Sequence, residues 1–119
     1  MTYTKDLEQI LNTYGTIETD AIGFLIENPK LAKYVADAPN HINPIFSKST
    51  LELMFSYNKF GLDCLCIIIN HDLSTTEALL KEELLAEIWL DSIGEDTNYQ
   101  LGIIECAING LKHINSLGL

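Results

Sequence analysis

Apolar residues recur every three or four positions along most of the chain, and that period predicts helices. Leu7, Ile10, Leu11 and Tyr14 share the spacing, Thr4 can cap the start and Gly15 supplies a stop, so Lys5 to Thr13 reads as a helix. Ile22, Leu25 and Ile26 mark a second helix that ends near Asn28, because Pro29 follows. Asn28 then caps a third helix, with Pro29 at its first position, where a missing N–H costs nothing, and with Leu31, Tyr34, Val35 and Ala38 as its buried stripe. The stretch APNHINP, Ala38 to Pro44, holds two prolines and two asparagines and reads as the loop joining two halves of one domain.

Ser49-Thr-Leu-Glu52 and Ser74-Thr-Thr-Glu77 both match the capping box, in which hydroxyl and carboxylate satisfy free N–H groups at a helix start. Between them the pattern is ambiguous. Leu51, Leu53, Phe55 and Tyr57 alternate with Glu52, Met54, Ser56 and Asn58 as a half-buried strand does, and Asn58 to Gly61 suits a turn. The capping box, the helix formers of LELMF and Gly61 as a stop favour helix. Thr75 to Ile93 reads as a long helix with Leu79, Leu80, Leu84, Leu85, Ile88, Trp89, Leu90 and Ile93 around much of its circumference, which predicts packing on several neighbours. Asp96 then caps a final helix carrying Leu101, Ile104, Ile108 and Leu111, with Gly102, Cys106 and Gly110 as a stripe of small residues that lets another helix approach closely. No repeat of fixed period and no long heptad occurs. The expectation is an all-α fold, a compact multi-helix bundle in one domain over residues 1–119 without a linker; the alternative is α+β with a β-hairpin at about residues 51–69.

Composition narrows the partners. The 119 residues carry 17 acids against 7 bases, all lysine, for a net charge of −10. Without arginine, the usual fork for phosphates and guanines, and without a basic surface, direct binding to nucleic acid or anionic membrane is not expected. With 47% hydrophobic residues the chain has enough apolar surface to fold alone. The N-terminus lacks a basic start followed by an apolar stretch, and the longest apolar run, Cys64 to Ile69, is far too short to span a bilayer; a soluble cytoplasmic protein is expected. Three cysteines without framework spacing suit a reducing compartment.

The charge is concentrated in KEELLAEIWLDSIGED, Lys81 to Asp96, where Glu83, Glu87 and Asp91 lie four apart and share one arc of a helix. Each like-charged pair at that spacing costs roughly 0.2–0.5 kcal/mol, and Lys81 is the one base present to relieve it. Either this arc is a solvated face of an acidic protein or it recognises a basic partner. Gly94 ends the helix before Glu95 joins the row.

Other chemistry finds little support. The Glu-x-x-His pair of helical di-metal sites is absent, and His41, His71 and His113 are scattered. Cys64-x-Cys66 lacks the second pair of a closed zinc site and reads as buried thiols. Asn70-His71-Asp72 reads as a connecting turn, and Trp89 as core or, beside Ser92 and the acids, as an interface anchor. No nucleophile elbow, phosphate-cradling glycine loop or dinucleotide fingerprint is present, so no catalytic residue, cofactor or metal ligand is assigned.

A small arginine-free acidic domain with the row Glu83, Glu87, Asp91 resembles the bacterial immunity proteins that neutralise basic nuclease toxins, including those of contact-dependent growth inhibition systems. The resemblance rests on size, charge and the row. It implies a non-enzymatic protein in a one-to-one complex, its carboxylates masking the substrate cleft of a toxin, with Glu82, Glu83, Glu87, Asp91, Glu95 and Asp96 as contact residues. Three other readings stand beside it: a phage-type nucleic-acid mimic that inhibits a host defence protein, which predicts a broader acidic surface; a small helical metal-dependent hydrolase; and a structural helical subunit that uses the small-residue stripe.

Overall fold

A computed structural model describes residues 2–57 and 59–108, with side chains from Lys5 onward. In chain order the elements are α1 (Thr2–Thr13), β1 (Thr16–Ile17), α2 (Thr19–Glu27), α3 (Pro29–Ile42), β2 (Thr50–Tyr57), β3 (Asp63–His71), α4 (Thr75–Leu85) and β4 (Leu101–Ala107). A π turn (Ala86–Leu90) and a 3-10 turn (Asp91–Ile93) continue α4, so the helical expectation for Thr75 to Ile93 holds with a change of pitch.

The fold is α+β, and the all-α expectation is corrected. The ambiguous centre is a hairpin: β2 runs antiparallel to β3, with Leu51 opposite Ile69, Leu53 opposite Ile67 and Phe55 opposite Leu65. Strand alternation turns Leu51, Leu53, Leu65, Ile67 and Ile69 onto one face, where all five are buried. A helix cannot collect these five on one side. Burying them outweighs the local helix preference of LELMF, which is worth only tenths of a kcal/mol per residue. Gly61, at φ +78°, serves the reversal between the strands rather than a helix stop. The capping box at Ser49 does not form: the Ser49 hydroxyl donates to the Phe46 carbonyl at 2.8 Å, and the Glu52 carboxylate accepts from the Asn70 amide at 3.1 Å.

The expected final helix is also a strand. β4 lies parallel to β3, with Leu65 beside Leu101 and Ile67 beside Ile103, completing a sheet of order β1-β2-β3-β4. Gly102 and Cys106 therefore lie along a strand instead of a helix stripe; Leu111 and Gly110 fall outside the described residues. The second capping box does form, the Ser74 hydroxyl accepting the Glu77 N–H at 3.2 Å.

The expected loop APNHINP is mostly helix, since α3 continues to Ile42 with Pro39 inside it. A proline there removes the N–H that would bond to the carbonyl of Val35. Tyr14, at the end of α1, supplies the missing donor: its hydroxyl bonds the Val35 carbonyl at 2.8 Å. Burial pushes the Tyr14 phenol well above its ordinary range, keeping it a donor at any physiological pH. Tyr14→Phe should therefore cost about 1–3 kcal/mol by leaving that buried carbonyl unpaired, read as a lower urea midpoint at unchanged slope. A loss of a few tenths would show that α3 tolerates the proline without help.

The helices bring Ile10, Leu25, Leu31, Val35 and Ile42, with Phe46 from the turn after α3, into one core with the buried sheet face. The opposite face carries Met54 and Ile104, both exposed, beside half-buried Cys66 and Ile68. Among the described residues no helix is long and apolar enough to cross a membrane.

Candidate functional site

α4 touches the rest of the protein along a narrow line. Ala78, Leu85, Trp89 and Ile93 are buried, while Leu79, Leu80, Leu84 and Ile88 are exposed, against the expectation that they pack on several neighbours. Leu80, Leu84 and Ile88 lie four apart and make an apolar ridge. Beside it runs the second row of the same spacing, Glu83, Glu87 and Asp91, all exposed. In a regular α-helix residues four apart drift by about 40° per step; the wider π turn at Ala86–Leu90 opposes that drift and straightens both rows. The helix thus turns outward a surface half apolar and half acidic, opposite the line on which it is seated.

The six acids expected to act together divide into groups. Glu82 is half-buried: partial burial raises its carboxyl above the usual range, and the Glu105 and Glu83 charges add to the rise. Ionised Glu82 costs stability, and the cost is relieved as pH falls through its raised value. Asp96 does not cap a helix. Its carboxylate accepts the Tyr34 hydroxyl at 2.7 Å and lies 3.9 Å from the Lys30 ammonium, tying the turn after the 3-10 segment to α3. Glu95 is exposed in that turn. Only Glu83, Glu87 and Asp91 form the outward row.

Candidate chemistry elsewhere is already satisfied. Asn70 and His71 belong to β3, not to a connecting turn. His71 is buried; its Nε2 donates to Glu105 at 2.5 Å, and its Nδ1 accepts the Leu73 N–H at 3.1 Å, a tautomer assigned from these partners. With both ring nitrogens engaged neither is open to a metal, and the pair ties β3 to β4. His41 lies 2.8 Å from Asp37 and stacks on Trp89, ring centres 4.9 Å apart, so buried Trp89 anchors the helix from inside. Burial pushes the thiols of Cys64 and Cys66 up, with neighbouring Asp63 and Cys64 respectively adding to it, so neither is an activated nucleophile. Among the described residues no group of three or more His, Cys, Asp or Glu is placed to hold a metal, and every buried side-chain nitrogen and oxygen has a partner.

One residue without any sequence signal stands out. Tyr99 has φ 56° and follows Asn98 at φ 53°, two successive left-handed positions, yet the residue is 67% exposed and is not held there by core burial. Its N–H bonds the Gly94 carbonyl at 2.8 Å, and a Cβ on Gly94 would stand 2.6 Å from the ring. Tyr99→Gly should raise the unfolding free energy by roughly 0.5–1 kcal/mol, as relief of ~1–2 kcal/mol of backbone strain exceeds the added freedom of the unfolded chain. A thermal melt that moves down instead would mean that the ring's contacts outweigh the strain.

Comparison with known proteins leaves the site to be read on its own terms: no protein-family model, curated protein or solved structure matches the chain.

Proposed function

We propose that this is a non-enzymatic binding protein that recognises a basic protein through the outward face of α4 and its π turn, in the manner of an immunity protein occluding the substrate cleft of a nuclease toxin. The observation that carries the reading is the apolar ridge Leu80, Leu84, Ile88 set directly beside the acidic row Glu83, Glu87, Asp91. The row supports like-charge repulsion that a lysine-interleaved face would avoid, and a basic partner relieves it. The ridge supplies what charge alone does not: covering three half-exposed aliphatic side chains gains roughly 1 kcal/mol apiece and slows dissociation. A nucleic-acid mimic needs acids spread as phosphates are and has no use for the ridge, so the apolar row favours a protein-specific contact.

The test is capture from the source cells at low and moderate salt, with wild type beside Glu83→Lys/Glu87→Lys/Asp91→Lys. Recovery of one basic protein by wild type and its loss in the variant supports the reading. Equal retention by both returns the row to solvent.

A further inference from the structure

We infer that the cavity at the end of the acidic row is a socket for the guanidinium of a partner's arginine, an inference that rests on the reading of that row as a recognition face. The cavity, about 780 Å³, opens between the helix end, the start of β4 and the tip of the hairpin, and Leu90, Asp91, Gly94, Tyr99, Leu101 and Lys59 line it. Asp91, last of the row, is exposed, and its carboxylate has no cation within 4.0 Å among the described residues. The cavity's own base does not meet it: the Lys59 ammonium lies over the Phe60 ring, 5.3 Å from its centre.

Tyr99 explains the shape of the socket. A left-handed backbone is costly for a bulky residue, and such positions persist where surroundings enforce them. Here the enforcement is visible: Gln100 N–H bonds the Thr97 carbonyl at 3.0 Å, Tyr99 N–H bonds Gly94, and Gly94 has no Cβ to push the ring away. The result is an aromatic face held at the wall of a cavity and left open to solvent. Leu90 and Leu101 offer apolar surface to the methylene stem of an arginine, the Tyr99 ring offers a face to its planar head, and Asp91 offers two oxygens. An ammonium fits less well, because it lacks the plane that stacks and the fork that pairs.

The socket is testable without the partner. Nα-acetyl-arginine methylamide is titrated into the full ¹⁵N-labelled chain, with the neutral, isosteric citrulline analogue alongside. The expected result is saturable shifts at the amides of Asp91, Gly94, Tyr99 and Leu101, with the citrulline analogue roughly five- to ten-fold weaker. Asp91→Asn, which leaves the fold's contacts intact, should abolish the difference between the two probes. Gly94→Ala, which forces the ring aside, should weaken the arginine probe. No saturable shift, equal binding of the two probes, or shifts as large at Glu83 and Glu87 would overturn the socket. Arginine-probe binding together with a captured partner indifferent to the row would overturn the reading of the row and with it the partner's use of the socket, whereas a row-dependent partner with no saturable probe binding would overturn the socket alone.

Discussion

Ile67→Ala should lower the unfolding free energy by about 2–5 kcal/mol, while Ile68→Ala, one residue along, should cost only about 1 kcal/mol. The difference follows from strand alternation. Ile67 sits on β3 between Leu53 of β2 and Ile103 of β4, fully buried beneath the helices; Ile68 turns to the opposite face, between Glu52 and Ile104, and is half-buried. Removing Ile67 leaves a cavity that the sheet cannot close, whereas the Ile68 site opens toward solvent. Urea unfolding of the two variants, at matched slopes, checks this. Equal losses would contradict the placement of 63–71 as a strand with one buried face.

The second large effect is on association. Glu83→Lys/Glu87→Lys/Asp91→Lys should slow association with the proposed basic partner by about ten-fold to a thousand-fold at low salt, because charges proposed to attract it are replaced by charges that would repel it. The three side chains are exposed, so the fold should not suffer. Leu84→Glu should act differently: it breaks the apolar ridge, leaves attraction in place, and shows mainly as faster dissociation. Interferometry that resolves the two rates separates these outcomes. A variant that binds as wild type in both rates would remove the ridge and row from the interface.

Much of the fold is visible along the chain, and the failures share a cause. The helix over Lys5 to Thr13, the break at Asn28-Pro29 and the Ser74 cap are local, decided by residues within a few positions, and the structure holds all three. The helices expected at Thr50–Asn70 and after Asp96 fail because strand pairing is decided at a distance: Leu51 needs Ile69, and Leu65 needs Leu101. In the stretch before Tyr57 the alternation is present, but the Ser49 capping-box match and LELMF point locally to helix, and only pairing with β3 decides for the strand. In Leu101 to Ala107, adjacent Ile103 and Ile104 and the small Gly102 and Cys106 suit either period. Pro39 sits inside a helix because its missing donor comes from Tyr14, far back in the chain, which no local rule detects.

The site was legible in part for the same reason. Four-residue spacing placed Glu83, Glu87 and Asp91 on one arc, where they are exposed together. It could not separate Glu82, turned toward Glu105, or Asp96, bound to Tyr34, because both depend on neighbours from other elements. Nor could it distinguish Leu80, Leu84 and Ile88 from core leucines, since an apolar side chain carries no mark of whether a neighbour covers it. Tyr99 was invisible, because a left-handed tyrosine has no sequence signature.

The most direct measurement is a matched-charge comparison. Glu83→Lys/Glu87→Lys/Asp91→Lys and Glu8→Lys/Asp20→Lys/Glu27→Lys change net charge equally, the first on the α4 face and the second on exposed acids of α1 and α2. Against the captured basic partner, the α4 face predicts loss of binding in the first and near wild-type affinity in the second. Equal weakening of both would show that the partner senses only the protein's overall charge, and would contradict a recognition face on α4.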